Sequence, residues 1–172
     1  MGKRVLVAYG TRSGTTAEVA QAIGEALRAA GVEVDVRAAK EMRGVDGYDA
    51  VVLGSCVQAG RTHGQAFSFL RANRQALSHL PVAYFVVCGT MQEDTAETRK
   101  TADAFLDPWR VTAPEVRPVS VGLFGGAIRP SPQNAWYVRI ALRVVKSIEG
   151  DWRDWAAIRS WTEGLRPAMG LA

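Results

Sequence analysis

Hydroxyl side chains are concentrated in a short loop of sequence Gly-Thr-Arg-Ser-Gly-Thr-Thr at positions 10–16. An apolar run precedes it and an amphipathic pattern follows, which predicts a loop between a strand and a helix. A helix N-terminus offers unpaired N–H groups and the positive end of a dipole, and hydroxyls add donors. The pattern therefore predicts a phosphate-binding loop. Its predicted ligands are Thr11, Arg12, Ser13, Gly14, Thr15 and Thr16.

Two common nucleotide-binding motifs are absent from this loop. The Walker motif needs a lysine directly before a serine or threonine, and no lysine follows Gly14, so NTP hydrolysis is disfavoured. The dinucleotide fingerprint G-x-G-x-x-G is absent as well. Three hypotheses remain for this loop: it binds a phosphate-bearing cofactor of another kind, it belongs to a phosphate-binding module without redox chemistry, or it is a capped turn without a ligand.

The other reactive side chains offer little chemistry of their own. His63 and His79 are the only histidines and show no metal-ligand spacing, so we predict no metal site. Cys56 and Arg61 form C-x4-R, one residue short of the C-x5-R pattern of thiolate phosphatases. The acidic residues that receiver domains need after their strands are missing, and no side chain stands out as an acid–base catalyst. We therefore predict binding residues and no catalytic residue.

Short apolar runs alternate with amphipathic stretches along the chain. Strands are predicted at 5–9, 32–36, 50–54, 82–87 and 116–121, and helices at 15–30, 63–77, 95–105 (with an extension towards 109), 133–148 and 152–165. A capping box of Thr15 and Glu18, a stop at Gly31 and an N-cap at Asp151 mark helix ends. This alternation predicts an α/β fold with a doubly wound, five-stranded parallel sheet and helices on both faces.

Length and composition favour one globular domain over residues 1–172. Hydrophobic residues make up 48% and charged residues 22%, enough for a sizeable core. The net charge of +4 suits anionic partners, and we predict no nucleic-acid partner. Two distant cysteines imply no disulfide framework, and the first apolar run is too short for a signal peptide or a membrane span. We predict a cytoplasmic protein.

The phosphate loop resembles that of the flavodoxins. The stretch Thr-Arg-Ser-Gly-Thr-Thr at 11–16 is similar to their T/S-x-T-G-x-T loop, and the likeness extends over segment order and lengths. The resemblance implies a flavodoxin-like strand order 2-1-3-4-5, non-covalently bound FMN and electron transfer. It also implies that the loops after the third and fourth strands flank the flavin ring. The residues in those positions are Ser55, Val57, Gln58, Ala59, Cys88, Gly89, Thr90 and Met91.

Two features differ from a small flavodoxin. Neither ring loop has an aromatic residue, and a loop–helix segment at about 123–150 is added after the fifth strand. That segment resembles the one in the menaquinone-dependent protoporphyrinogen oxidase family, through Gly126, Ala127, Arg129, Pro130, Trp136 and Tyr137. The resemblance implies an FMN-dependent oxidoreductase acting on a porphyrinogen with a quinone acceptor, with Arg129 and Trp136 as substrate contacts.

Alternatives to this enzyme remain open at the level of sequence. An electron-transfer flavodoxin without a substrate site would need only a redox partner protein. The apolar and basic helix predicted at 133–148 has two interpretations: it lies on a membrane surface and meets a quinone, or it packs on the edge of the sheet.

Overall fold

The computed structural model describes residues 2–128 and 150–171. Its central element is a parallel sheet in which five strands lie in the order β2-β1-β3-β5-β6. Counted along the chain, these strands reproduce the predicted order 2-1-3-4-5, which is confirmed. The strands are β1 (Arg4–Gly10), β2 (Glu33–Ala38), β3 (Ala50–Gln58), β4 (Arg61–Thr62), β5 (Val82–Cys88), β6 (Pro118–Gly125), β7 (Ala127–Ile128) and β8 (Gly150–Asp151).

Helices cover both faces of the sheet, as predicted. They are α1 (Thr15–Ala29), α2 (Gly64–Leu77), α3 (Ala96–Ala104), α4 (Asp107–Thr112) and α5 (Trp155–Ala168). Because side chains alternate along a strand, Val5 and Val7 of β1 join the core under α1 and α5, and Leu6 and Ala8 join the core under α2 and α4. Both sets are fully buried, which explains the continuous apolar run of a central parallel strand.

Helix α1 begins differently from the prediction and ends as predicted. Its N-cap is Gly14, with a φ of 88° and no side-chain cap, so the expected capping box of Thr15 and Glu18 is wrong. At the other end Gly31 has a φ of 85°. The N–H of Gly31 donates to the carbonyl of Arg28, and that of Val32 donates to the carbonyl of Leu27. These two bonds form a Schellman motif, which confirms the stop at Gly31.

Two further helix predictions need correction. The helix expected to run from 95 towards 109 is two helices, α3 and α4, because the chain turns at Phe105 and Leu106 before Pro108 in the first turn of α4. The last helix begins at Trp155, and its cap is Asp154, whose side chain accepts from the N–H of Ala157 at 2.9 Å. The predicted cap, Asp151, lies in β8.

The added segment leaves and rejoins the fold through a small antiparallel pair. Strand β6 runs to Gly125, past the predicted end at 121, and β7 then pairs with β8. The predicted helix at 133–148, Arg129 and Trp136 lie outside the described residues. Within residues 2–128 and 150–171, no helix combines the length and apolarity that a membrane span requires.

Candidate functional site

The predicted phosphate loop follows the carboxyl end of β1, between the central strand and α1. The N–H of Gly14 donates to Oγ1 of Thr11 at 3.0 Å, which folds the loop back on itself. No atom of residues 2–128 and 150–171 beyond its chain neighbours lies within 4 Å of the position that a Cβ of Gly14 would take. Since no side chain of the described part of the chain caps α1, the N–H groups of its first turn are open there to an anion approaching along the helix axis.

Three hydroxyls surround this open helix end. Thr16 Oγ1 is buried and has no hydrogen-bond partner within the part of the chain that the structure describes. Ser13 Oγ and Thr15 Oγ1 lie 3.4 Å apart. A buried hydroxyl without a partner is costly unless something completes its hydrogen bond. A phosphate oxygen at the end of α1 is a suitable acceptor.

Arg12 connects the phosphate loop to the first of the two predicted ring loops. Its Nη1 donates to Oε1 of Gln58 at 2.7 Å. The guanidinium therefore lies over the end of β3, on the ring side of the loop. The sequence predicts Arg12 as a phosphate ligand, and the structure brings its side chain to Gln58.

The first ring loop is a tight hairpin between β3 and β4, which the sequence analysis missed. Val57 pairs with Thr62 and Gln58 pairs with Arg61. The two tip residues have positive φ, 49° at Ala59 and 72° at Gly60, as a type I′ turn requires. The dipeptide Ala-Gly between two short β-prone pairs is a weak signal for such a turn, because asparagine or glycine is the usual first residue.

Ser55 and His63 hold this hairpin against α2. The hydroxyl of Ser55 is buried; it donates to the carbonyl of Cys56 at 2.8 Å and accepts from the N–H of His63 at 2.7 Å. His63 is the N-cap of α2, and its Nδ1 accepts from the N–H of Gln65 at 3.4 Å. Burial, together with the nearby charge of Arg12, lowers the pKa of His63. The side chain of Ser55 thus supports the loop from within.

The second ring loop is a short 3₁₀ turn over Gly89–Gln92. Cys88 and Met91 are buried in a small apolar cluster with Ala102, against which Val57 also packs. Gly89 is exposed and Thr90 half-buried. The structure thus brings all eight predicted ring residues to one edge of the sheet, while the side chains of Cys88 and Met91 point into the protein.

The cysteines do not resemble catalytic thiolates. Burial is the main cause that raises the pKa of both Cys56 and Cys88. Both are free, and Cys56 lies opposite Val87 on the neighbouring strand. A thiolate nucleophile needs the opposite shift, so the geometry does not favour the phosphatase alternative.

An arginine that the sequence analysis overlooked holds α1, the helix that follows the predicted phosphate loop. The side chain of Arg153 is 1% exposed and bonds to Glu18 in α1 and to Asp151 in β8. Asp151 and Glu18 both raise the pKa of Arg153 through hydrogen bonds. Arginine is common on surfaces, so its residue type carried no signal of burial.

Comparisons with known proteins agree with this architecture. A family model described as "Flavodoxin domain" matches residues 6–155. The protoporphyrinogen IX dehydrogenase [quinone] of Escherichia coli K12 is 25% identical, over 98% of this chain and 94% of that protein. A short-chain flavodoxin associated with a non-canonical PDU bacterial microcompartment has a TM-score of 0.59 at 13% identity, covering 96% of this chain and 99% of that chain. A flavodoxin of Streptococcus pneumonia TIGR4 has a TM-score of 0.56 at 15% identity, covering 95% of this chain and 98% of that chain.

The residues of the phosphate loop fit FMN, the cofactor that flavodoxins bind. Within residues 2–128 and 150–171, the N-terminus of α1 has no side-chain cap, the space at Gly14 is open and the hydroxyl of Thr16 has no partner, and these features suit a terminal phosphate. The loops after β3 and β5 lie at the same edge of the sheet, where a doubly wound fold binds its ligand.

Proposed function

Because this chain belongs to the flavodoxin domain family, we propose that it is an FMN-dependent oxidoreductase that oxidises protoporphyrinogen and reduces a quinone. The flavodoxin-like fold and the FMN cofactor belong to the family. The substrate and the acceptor are the proposal, and the name of the curated Escherichia coli relative supports both.

The observation that carries the proposal is where the added segment meets the fold. Residues 128 and 150, which flank it, pair side by side in β7 and β8. Gly126 donates its N–H to the carbonyl of Cys88 at 3.1 Å, and Trp152 donates to the carbonyl of Gly126 at 3.0 Å. The start of the segment is therefore bonded to the last residue of β5, next to the second ring loop, and its end is bonded to that start. An addition at this place supports a substrate site beside the flavin, which a simple electron shuttle does not need.

The composition of the ring loops also supports a substrate-accepting face. The hairpin tip is Ala59-Gly60, and the turn after β5 begins with Gly89 and Thr90. Because these side chains are small, they leave room for a second flat molecule next to the flavin. Bulky aromatic residues, which small flavodoxins usually stack on the ring, would occupy that space.

The residues of this chain would bind FMN and the substrate and orient them towards each other. FMN, when bound, supplies the two-electron chemistry. The α1 N-terminus, Ser13 and Thr16 would hold its phosphate, and the backbone around Ala59, Gly89 and Thr90 would flank its ring. No side chain is needed as a nucleophile, and the raised pKa values of Cys56 and Cys88 agree with that.

A two-stage experiment tests the proposal. FMN is first titrated into apoprotein and its fluorescence quenching is followed, with the Ser13→Ala/Thr16→Ala double variant as the comparison. We expect saturable binding that the double variant weakens. The holoprotein is then mixed anaerobically with protoporphyrinogen IX and a water-soluble quinone, and protoporphyrin fluorescence is recorded.

Quinone-dependent protoporphyrin formation supports the proposed activity. If the holoprotein only exchanges electrons with a reductase and oxidises no porphyrinogen, the electron-transfer flavodoxin is the correct function. If the apoprotein binds no FMN at tens of micromolar, a phosphate-binding module without redox chemistry replaces both.

A further inference from the structure

A basic cavity lies beside the β3–β4 hairpin, next to the proposed flavin site. Its volume is about 420 Å³, and its lining includes Arg12, Cys56, Gln58, Arg61, Thr62 and His63. Among the residues that the structure describes, two arginines contribute to this lining and no aspartate or glutamate does. The cavity is therefore a cationic site at the carboxyl end of β3, where the proposed substrate would approach.

Neither arginine is neutralised by a carboxylate in residues 2–128 and 150–171. Arg12 bonds to the neutral amide of Gln58, and the exposed Arg61 forms no ion pair there. In contrast, Arg4, Arg99 and Arg110 each contact an aspartate. Two uncompensated guanidinium groups in one cavity attract an anion.

The start of α2 adds to this positive potential. This 14-residue helix begins at Gly64, which also lines the cavity, so the positive end of its dipole faces the same space. His63 caps the helix, and its lowered pKa keeps the imidazole neutral at pH 7. The charge that recognises an anion here therefore belongs to Arg12 and Arg61.

We propose that Arg12 and Arg61 bind a carboxylate of the substrate and so select a tetrapyrrole with free propionate groups. This inference rests on the proposed function and names the recognition residues of the same site. Arginine holds a carboxylate through paired, charge-assisted hydrogen bonds, which are stronger than its bond to a neutral amide. An arriving propionate would replace Gln58 as the partner of Arg12, and Arg61 would hold the same group from the hairpin side.

The test compares binding of a diacid with that of its neutral ester. Protoporphyrin IX and protoporphyrin IX dimethyl ester are titrated into FMN-loaded wild type, Arg61→Gln and Arg117→Gln, and porphyrin fluorescence is followed. Arg117 is exposed at the opposite edge of the sheet, next to the start of β6. Arg117→Gln therefore changes the net charge by the same amount as Arg61→Gln, but away from the cavity. FMN affinity is measured for all three proteins, and thermal unfolding confirms that each one folds.

We expect Arg61→Gln to weaken diacid binding about tenfold, the usual effect of losing a hydrogen bond to a charged group. Its ester binding and FMN affinity should match the wild type, and Arg117→Gln should change none of the three. Arg61→Lys should recover part of the loss, because it keeps the charge without the planar pair of donors.

Other outcomes overturn the inference in distinguishable ways. Equal wild-type affinity for diacid and ester, or equal losses in Arg61→Gln and Arg117→Gln, would refute carboxylate recognition while leaving the proposed oxidoreductase intact. Weaker FMN binding in Arg61→Gln would assign the cavity to the cofactor. Absence of porphyrin binding to an FMN-loaded wild type would remove both this inference and the proposed substrate.

Discussion

Arg153 and Glu18 stand 135 positions apart in the sequence, yet Nη1 of the arginine lies 2.5 Å from Oε2 of the glutamate. The same guanidinium bonds to both oxygens of Asp151, at 2.8 and 2.6 Å. The Cζ atom of Arg153 also lies 4.7 Å from the ring centre of Trp155. The segment that follows the added loop is thereby attached to the first turns of the helix that begins at the phosphate loop.

Replacing Arg153 should destabilise the protein more than replacing an exposed arginine nearby. We expect Arg153→Met to lower the free energy of unfolding by about 2 kcal/mol, because several charge-assisted hydrogen bonds are lost. Arg159→Met, on the exposed face of α5, should change it by less than about 0.5 kcal/mol. Urea unfolding of the apoproteins measures both. Equal losses would show that the buried ion pairs contribute nothing.

Thr16 and Thr11 should respond in opposite directions to the same substitution. Thr16→Val removes a buried hydroxyl that has no partner among the described residues, so the apoprotein should gain about 1 kcal/mol while FMN binds about tenfold more weakly. Thr11→Val removes the acceptor of the Gly14 N–H and should cost about 1 kcal/mol. Urea unfolding and FMN titration report the two quantities. Loss of apoprotein stability in Thr16→Val would contradict the phosphate assignment of this hydroxyl.

The hairpin tip should accept a better turn residue. Ala59 has a φ of 49°, a left-handed conformation that asparagine adopts more easily than alanine. Ala59→Asn creates the Asn-Gly pair preferred in type I′ turns and should raise stability by about 0.5 kcal/mol. Gly60→Ala, at a φ of 72°, should lower it by about 1 kcal/mol. Thermal unfolding distinguishes the two, and the same sign for both variants would be inconsistent with this turn.

Gly54 should tolerate no side chain. A Cβ at this position would lie 1.9 Å from Cζ of Phe85, whose ring centre also lies 6.4 Å from those of Phe124 and Trp161. Gly54→Ala should cost about 3 kcal/mol through overpacking. The Gly54→Ala/Phe85→Leu double variant should lose less than the sum of the single changes, since the smaller side chain makes room. Simple additivity in urea unfolding would count against this contact.

Acidification should weaken the start of α2. The pKa of His63 is lowered by burial and by Arg12, so the unfolded chain binds a proton first as pH falls. Stability should therefore be full above about pH 6.5, the unfolded value, and should decrease below it towards the folded pKa. His63→Asn keeps an N-cap without a titrating ring. Its stability should depend less on pH between 7 and 5, which urea titrations at several pH values will measure.

Local pattern predicted the five parallel strands and most of the helices, and it located the loop for which we predict phosphate binding. Apolar runs of five residues next to helical periodicity identified the strands, because a central parallel strand is buried on both faces. The hydroxyl-rich loop could be located because its residues are adjacent in sequence and its chemistry depends on neighbours along the chain. The hairpin at Ala59 escaped detection because alanine is an unusual residue for its backbone conformation.

Contacts between distant segments were beyond the reach of sequence patterns. The residue types alone predicted that this protein alternates strands and helices, binds a phosphate after β1 and carries an added segment after its last parallel strand. Only the tertiary structure decided that Arg153 is buried between Glu18 and Asp151, that Arg12 reaches Gln58, and that Phe85 requires a glycine at position 54. The reason is physical: the burial of a charge or the space around a ring depends on its neighbours in space, and folding brings these together from distant positions, 46 apart for Arg12 and Gln58 and 135 apart for Arg153 and Glu18.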